Sequence, residues 1–90
     1  MPHPYRPAAV RIPMELVEAD FEIAFNLVDL AEGDRTLAAR VLAEAETVFL
    51  DIETRLARMD ARESQPFHPL AGELRREIDL ARLHTGEAAA

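Results

Sequence analysis

Cysteine, lysine and tryptophan are absent from this sequence of 90 residues. Without cysteine, disulfides, thiolate nucleophiles and thiolate metal sites are excluded. The only histidines are His3, His68 and His84, and none stands three or four residues from another, so no helical metal-binding pair exists. With three glycines in the whole chain, no glycine-rich phosphate loop can be recognised. We therefore expect neither a metal nor a cofactor.

Basic residues are scarce, because 10 arginines stand against 17 acidic residues and give a formal net charge of -7. This charge repels the phosphates of nucleic acids and the head groups of anionic membranes. No stretch approaches the roughly 18 consecutive apolar residues of a membrane-spanning helix, and no apolar run of signal-peptide length is present. The expectation is a cytoplasmic protein that binds neither nucleic acid nor membrane.

Signals for β-strands are also missing, since no run alternates with period two and β-branched residues do not cluster. Apolar residues recur at helical spacing instead, which predicts an all-α fold. The simplest closure is a three-helix, up-down-up bundle built on an antiparallel helical hairpin, with helices at about 13–32, 34–62 and 69–85. Prolines at positions 2, 4 and 7 predict an extended N-terminal arm over 1–12. Residues 13–86 form one predicted helical domain, and 87–90 a predicted disordered tail.

The first predicted helix has an unusually broad apolar arc. Its first row recurs at spacings of four and three, at Val17, Phe21, Ala24, Val28 and Ala31. A second row lies beside the first, at Leu16, Ile23, Leu27 and Leu30. Packing against a single neighbouring helix needs a narrower stripe than this. We therefore expect the helix to contact a second neighbour, either the third helix or another chain.

Gly33 and Asp34 predict the turn of the hairpin. Glycine tolerates the left-handed conformation that often ends a helix, and an aspartate after it can accept hydrogen bonds from free amides at the start of the next. So short a connection makes the two helices antiparallel neighbours. The second helix then carries one continuous apolar face: Ala38, Val41, Leu42, Ala45, Val48, Phe49, Ile52, Leu56 and Met59.

The run Ser64–Pro69 contains two prolines three residues apart, which predicts a loop. Pro69 is suited to the first turn of a third helix, whose inward residues would be Leu70, Leu74, Ile78 and Ala81. Gly72 weakens that helix by about 1 kcal/mol relative to alanine.

Asp20 falls inside the apolar arc of the first helix. A buried, unpaired carboxylate is costly, so Asp20 needs a partner or a raised pKa. Three interpretations remain open: a structural ion pair with Arg75 or Arg76, a position on the rim of the core or of a partner groove, and a catalytic role.

Other polar residues allow a functional interpretation beside a structural one. His68, between Phe67 and Pro69, is either a ligand or general base or a surface histidine without a role. Arg55 belongs to a row of arginines that either binds an acidic partner or forms a charged outer face in which it pairs with Asp51. Leu50 stands in a second, alanine-rich stripe that resembles a docking seam. The candidate partner-binding residues are Asp20, Phe25, Leu50, His68, Leu80 and Leu83.

The segment from Glu18 to about Leu50 resembles a single tetratricopeptide-type hairpin, on the strength of Gly33-Asp34, Ala38, Leu42 and Ala45. Asn26 and Asp29 depart from that pattern. With a third helix added, the chain is also similar to the microtubule-interacting-and-transport modules. Both resemblances imply binding of a helical segment in a groove between helices, and neither implies catalysis.

Two functions from different classes remain. The leading hypothesis is a non-catalytic helical module that binds another protein, or itself, through the apolar excess of the first helix and a groove beside the third. The alternative is a small helical enzyme or ligand-binding subunit with a site at a dimer interface, built around Asp20, His68 and the arginines. Convergence of those side chains on one cavity would distinguish the two.

Overall fold

The structure, a computed structural model, describes residues 12–86. These residues form three long helices, α1 (Met14–Gly33), α2 (Ala38–Arg58) and α4 (His68–Gly86), with a single-turn helix α3 (Ala61–Ser64) and a 3₁₀ turn (Gln65–Phe67) before α4. The predicted all-α bundle is confirmed. Residues 1–11 of the predicted arm and the predicted tail at 87–90 lie outside the described residues. Ile12, the last residue of the predicted arm, packs half-buried against the core.

The three long helices run up, down and up. Contacts are most extensive between α1 and α2, which the short turn makes antiparallel neighbours. Phe21 of α1 stacks on Phe67 of the 3₁₀ turn directly before α4, with ring centroids 6.0 Å apart. The Oε2 atom of Glu32, near the end of α1, lies 3.3 Å from Nδ1 of His84, near the end of α4. These two contacts place the first half of α1 near the start of α4 and the end of α1 near the end of α4, so the two helices are parallel. Both helices pack against α2.

The turn after α1 differs from the sequence-based expectation. Gly33 does not adopt the left-handed conformation, since no described glycine has a positive φ. Gly33 instead remains inside α1, and the chain becomes extended at Asp34. The Asp34 carboxylate accepts hydrogen bonds from the Thr36 amide at 3.0 Å and from the Thr36 hydroxyl at 2.6 Å. Asp34 therefore stabilises the turn itself but does not cap α2 as predicted, since α2 begins at Ala38 without a side-chain cap. Gly33 supplies no special backbone angle.

The second predicted helix is shorter than expected at both ends, because α2 begins at Ala38 instead of residue 34 and ends at Arg58 instead of residue 62. Met59 is extended, and its amide still donates to the carbonyl of Arg55. Asp60 then caps α3 by accepting a hydrogen bond from the Arg62 amide at 2.8 Å. The aspartate thus starts a new helix where the sequence pattern alone indicated a continuation.

The predicted loop at Ser64–Pro69 is wrong, because this segment is helical nearly throughout. Pro66 lies in the first turn of the 3₁₀ helix, and Pro69 is the second residue of α4. Amides in the first turn of a helix have no intrahelical partner, so a proline there removes no hydrogen bond. Two prolines three residues apart therefore open two successive helical segments instead of interrupting one.

A single apolar core fills the space between the three long helices. Its fully buried side chains include Val17 and Val28 of α1, Ile52 of α2, and Leu74 and Ile78 of α4. Small residues lie where α1 and α2 approach each other near the turn, at Ala24, Ala31, Ala38 and Ala45, all at most 3% exposed. Phe21, Phe49 and Phe67 occupy the wider space further from the turn. This arrangement agrees with the predicted core positions of the hairpin.

Candidate docking surface

Only the first row of the apolar arc on α1 is buried. Leu16, Ile23 and Leu30 of the second row are 42%, 50% and 48% exposed. We call these three residues the α1 stripe. Leu27, the fourth member of the second row, is half-buried against the core. The expected second neighbour of α1 exists and is α4, but all three members of the α1 stripe stay roughly half exposed.

The α1 stripe runs nearly parallel to the axis of α1. Its members recur every seven residues, and an α-helix drifts by only about 20° over seven residues, so the three side chains lie almost in line. From Leu16 to Leu30 the line is about 21 Å long at 1.5 Å per residue. Ala19 and Asn26, one turn along from the first two members, are exposed and neither bulky nor charged. A second helix can therefore approach the stripe closely along its length.

The side of α1 on which the stripe lies follows from two contacts. Asp20, one turn from Leu16 and Ile23, accepts a hydrogen bond from Arg55 of α2. Glu32 on the opposite side of α1 reaches His84 of α4. The α1 stripe therefore lies beside α2, on the surface of the hairpin that is turned away from α4.

The opposite surface, between α1 and α4, is dominated by carboxylates. Glu77 of α4 has a raised pKa because it is partly buried and because Glu73, Asp29 and Glu32 add negative charge around it. Arg76 opposes this effect only in part. The negative charge on this side of α1 disfavours the docking of an acidic segment.

Asp20 is a structural residue, and its partner is not the one expected. The side chain is 15% exposed and pairs with Arg55, not with Arg75 or Arg76. Arg55 therefore reaches across the hairpin to α1 instead of pairing with Asp51 on its own helix. The pair ties the middle of α1 to the last turns of α2 and lies along the border of the α1 stripe.

Arg75 belongs to a second ion-pair cluster, which the sequence patterns did not indicate. Its guanidinium binds Glu46 of α2, with one N–O distance of 3.0 Å, and Asp79 one turn along α4 at 2.7 Å. Arg82 also reaches Glu46, at 3.1 Å, while Arg75 lies 5.0 Å above the ring of Phe49. The hydrogen bond and charge of Arg75 lower the pKa of Glu46. This cluster joins α2 to α4 and has a structural role.

The other predicted partner-binding residues are distributed over several surfaces. Leu50 of α2 and Leu80 and Leu83 of α4 are 54%, 50% and 53% exposed. Phe25 is half-buried and stacks on Phe21, with ring centroids 6.4 Å apart. His68 is exposed at the start of α4, with Nε2 3.5 Å from the hydroxyl of the buried Ser64. Their function as binding residues stays a prediction.

The alternative function required Asp20, His68 and the arginines to surround one cavity, and they do not. Asp20 and Arg55 pair between α1 and α2, Arg75 pairs between α2 and α4, and His68 lies on the surface. A shallow depression at the base of α1 is lined by different residues, including Pro13, Glu15 and Glu63. Within residues 12–86, no group of three or more histidine, aspartate or glutamate side chains is arranged to hold a metal ion.

In comparisons with protein-family models, curated proteins and solved structures, this chain matches none of them. The tetratricopeptide-like and microtubule-interacting-and-transport-like resemblances therefore depend only on the sequence positions quoted above. None of the helices in the described part of the chain is both long and apolar enough to cross a bilayer.

Proposed function

We propose that this chain is a non-catalytic helical interaction module that binds protein through the α1 stripe. The observation that supports this proposal is the exposure of Leu16, Ile23 and Leu30 in one line beside a well-packed core. Single exposed leucines are common on soluble proteins, but aligned aliphatic side chains on one helix form a continuous apolar surface. An amphipathic helix laid along such a surface buries apolar side chains at the same spacing.

The shape and charge of this surface fit a protein ligand better than a small molecule or a nucleic acid. The stripe lies on the exposed side of a helix and borders the Asp20–Arg55 pair, whereas small-molecule sites are concave and enclose most of their ligand. The net charge of -7 disfavours nucleic acids as ligands. A helix with aliphatic residues at three- and four-residue spacing is the ligand whose shape and chemistry match this surface.

The test compares two triple variants with the wild-type protein. The stripe variant carries Leu16→Gln, Ile23→Gln and Leu30→Gln, and the control carries Leu50→Gln, Leu80→Gln and Leu83→Gln. All six side chains are roughly half exposed, so both variants should keep the helix content and thermal stability of the wild type. The measurements are fluorescence of an apolar dye and association, with itself or with an added amphipathic helix, followed by sedimentation.

The proposed function requires that the stripe variant loses dye binding and association while the control keeps both. If the control variant loses them and the stripe variant does not, the docking surface is on α2 and α4, as the sequence-based candidates Leu50, Leu80 and Leu83 imply. A wild-type protein that neither binds the dye nor associates with any helix would contradict a docking function altogether.

A further inference from the structure

We infer that the α1 stripe is covered by the α1 stripe of a second copy of this chain, in a two-fold dimer whose paired α1 helices run parallel. This inference rests on the proposed function and specifies the partner. Its basis is the apolar line at Leu16, Ile23 and Leu30 together with the charges on its two borders.

One border of the stripe is acidic. Glu15, Glu22 and Asp29 each precede a stripe residue directly, so they form a second line about 100° away around α1. All three carboxylates are exposed, and none belongs to an ion pair in the described residues. This acidic line lies on the side of the stripe that is turned away from α2.

The other border is the outer surface of α2, which carries arginines at both ends. Arg40 and Arg58 are exposed and lie 18 residues apart, five whole helical turns, so they point in the same direction. Arg58 is one turn from Arg55, which faces α1. Since the hairpin turns between Gly33 and Ala38, Arg40 lies near the level of Asp29 and Arg58 near the level of Glu15.

These charges distinguish the two possible two-fold arrangements. If the α1 helices are antiparallel, the two-fold axis is perpendicular to them and brings each acidic line against the acidic line of the other copy. If they are parallel, the axis runs along them and places the acidic line of one copy over α2 of the other. Asp29 then meets Arg40, and Glu15 meets Arg58, in both halves of the dimer. Opposite charges favour the parallel dimer.

The charges of the two surfaces are only partly complementary, and this limits the expected affinity of the dimer. Glu44 and Asp51 lie between the two arginines on the outer surface of α2, at the level where Glu22 of the second copy would stand. The three aliphatic side chains of each stripe also form a small contact beside the about 800 Å² per partner of a standard interface. We therefore expect a dimer with a Kd of roughly micromolar order, which dissociates on dilution.

Cysteine cross-linking gives a direct test, because the natural chain contains no cysteine. In the parallel dimer Leu16 lies beside Leu16 of the second copy, so the Leu16→Cys variant should form a disulfide-linked dimer about ten times faster than the matched control Leu50→Cys. In an antiparallel dimer Leu16 lies beside Leu30, and rapid linkage would require mixing Leu16→Cys with Leu30→Cys.

Charge reversal supplies the second measurement. Asp29→Arg should weaken the parallel dimer about tenfold, because the new arginine would face Arg40 of the second copy. Adding Arg40→Asp should restore the wild-type Kd. In an antiparallel dimer the arginine introduced by Asp29→Arg would lie beside Glu15 of the second copy, and the dimer would become tighter. Thermal unfolding of each variant shows whether the fold is retained.

Wild-type dimerisation, fast linkage of Leu16→Cys and rescue by the double reversal together support the inference. Fast linkage only in the mixture of Leu16→Cys with Leu30→Cys overturns the parallel arrangement. A wild-type protein that stays monomeric at high micromolar concentration, with Leu16→Cys no faster than the control, overturns the second copy as partner. In that last case the proposed function still stands if the stripe variant alone loses dye binding and binding of an added helix.

Discussion

Asp20 shows how a polar residue inside an apolar arc is accommodated. Its carboxylate is mostly buried but pairs with Arg55, which extends from the neighbouring helix and stays one-third exposed. A charge-assisted hydrogen bond at the edge of a core stabilises the fold without the full cost of desolvating both ions. The need for a partner was predictable from the sequence, because Asp20 falls among apolar positions. The identity of the partner was not, because Arg55, Arg75 and Arg76 all lie within reach in a bundle whose helix rotations are unknown.

We expect Asp20→Asn to lower the free energy of unfolding by about 1 kcal/mol, since the remaining hydrogen bond is no longer charge-assisted. Arg55→Gln should cost a similar amount, and the double variant should cost less than the sum of the two. Urea unfolding of the four proteins measures this coupling. Additive costs would show that the pair contributes nothing specific.

Glu77 gives a pH-dependent prediction. Burial and the nearby carboxylates of Glu73, Asp29 and Glu32 raise its pKa in the folded state above the unfolded value. The folded state therefore binds the proton more tightly, so the Glu77 contribution to stability falls as pH rises through the window between these two values. We expect Glu77→Gln to raise the free energy of unfolding by roughly 0.2 to 0.5 kcal/mol at neutral pH and to have no effect below the unfolded pKa.

Glu46 is the matched control for this pH dependence. The hydrogen bond and charge of Arg75 lower the pKa of Glu46, so its contribution to stability is present above the unfolded pKa and is lost as pH falls through the folded one. Glu46→Gln should therefore destabilise the protein at neutral pH. Thermal unfolding at several pH values measures both variants, and equal signs for the two would contradict the account.

At the level of the helices, the bounds of α1 and α4 were predictable from the sequence to within one residue, whereas neither end of α2 was. The Asp34 carboxylate binds Thr36 within the turn and does not cap α2, whose N-cap is Leu37. Asp60 caps a short helix that the sequence pattern did not indicate. Gly33 does not end α1 in the left-handed conformation, and the prolines of Ser64–Pro69 do not create a loop. A proline in the first turn and a proline in the interior of a helix look the same in a sequence, because the difference depends on where the helix starts.

Gly33 provides a test of this point. Its backbone is helical, and a Cβ atom placed there has no neighbouring atom within 4 Å. Gly33→Ala should therefore stabilise the protein by about 0.5 to 1 kcal/mol, because alanine loses less conformational freedom than glycine on folding. The matched comparison is Gly72→Ala in α4, where the new Cβ would lie 3.8 Å from Arg76, an ordinary contact. A loss of stability in Gly33→Ala would indicate the left-handed turn that the sequence suggests.

At the level of the whole molecule, the heptad patterns of α1 and α2 were enough to predict the hairpin and most of its core. They could not predict which part of the broad arc on α1 stays exposed. Val17 and Leu16 are equally apolar neighbours in the sequence, and only the packing of α1 against α2 and α4 determines that Val17 is buried and Leu16 is 42% exposed. The candidate docking surface is therefore a property of the assembled bundle, and the sequence indicated only that α1 had more apolar surface than one neighbour could cover.

The central claim is that the hairpin buries one apolar row of α1 and presents the other to a second copy. The chain has four isoleucines, and three of them report on this claim: Ile52 and Ile78 are fully buried in the core, and Ile23 is the middle residue of the α1 stripe. The measurement is the broadening of their methyl NMR signals by a soluble paramagnetic probe at several protein concentrations. Ile52 and Ile78 should be protected at every concentration, whereas Ile23 should be broadened in dilute protein and protected in concentrated protein. An Ile23 methyl that is equally broadened at all concentrations would contradict the dimer, and one that is always protected would contradict the exposed stripe.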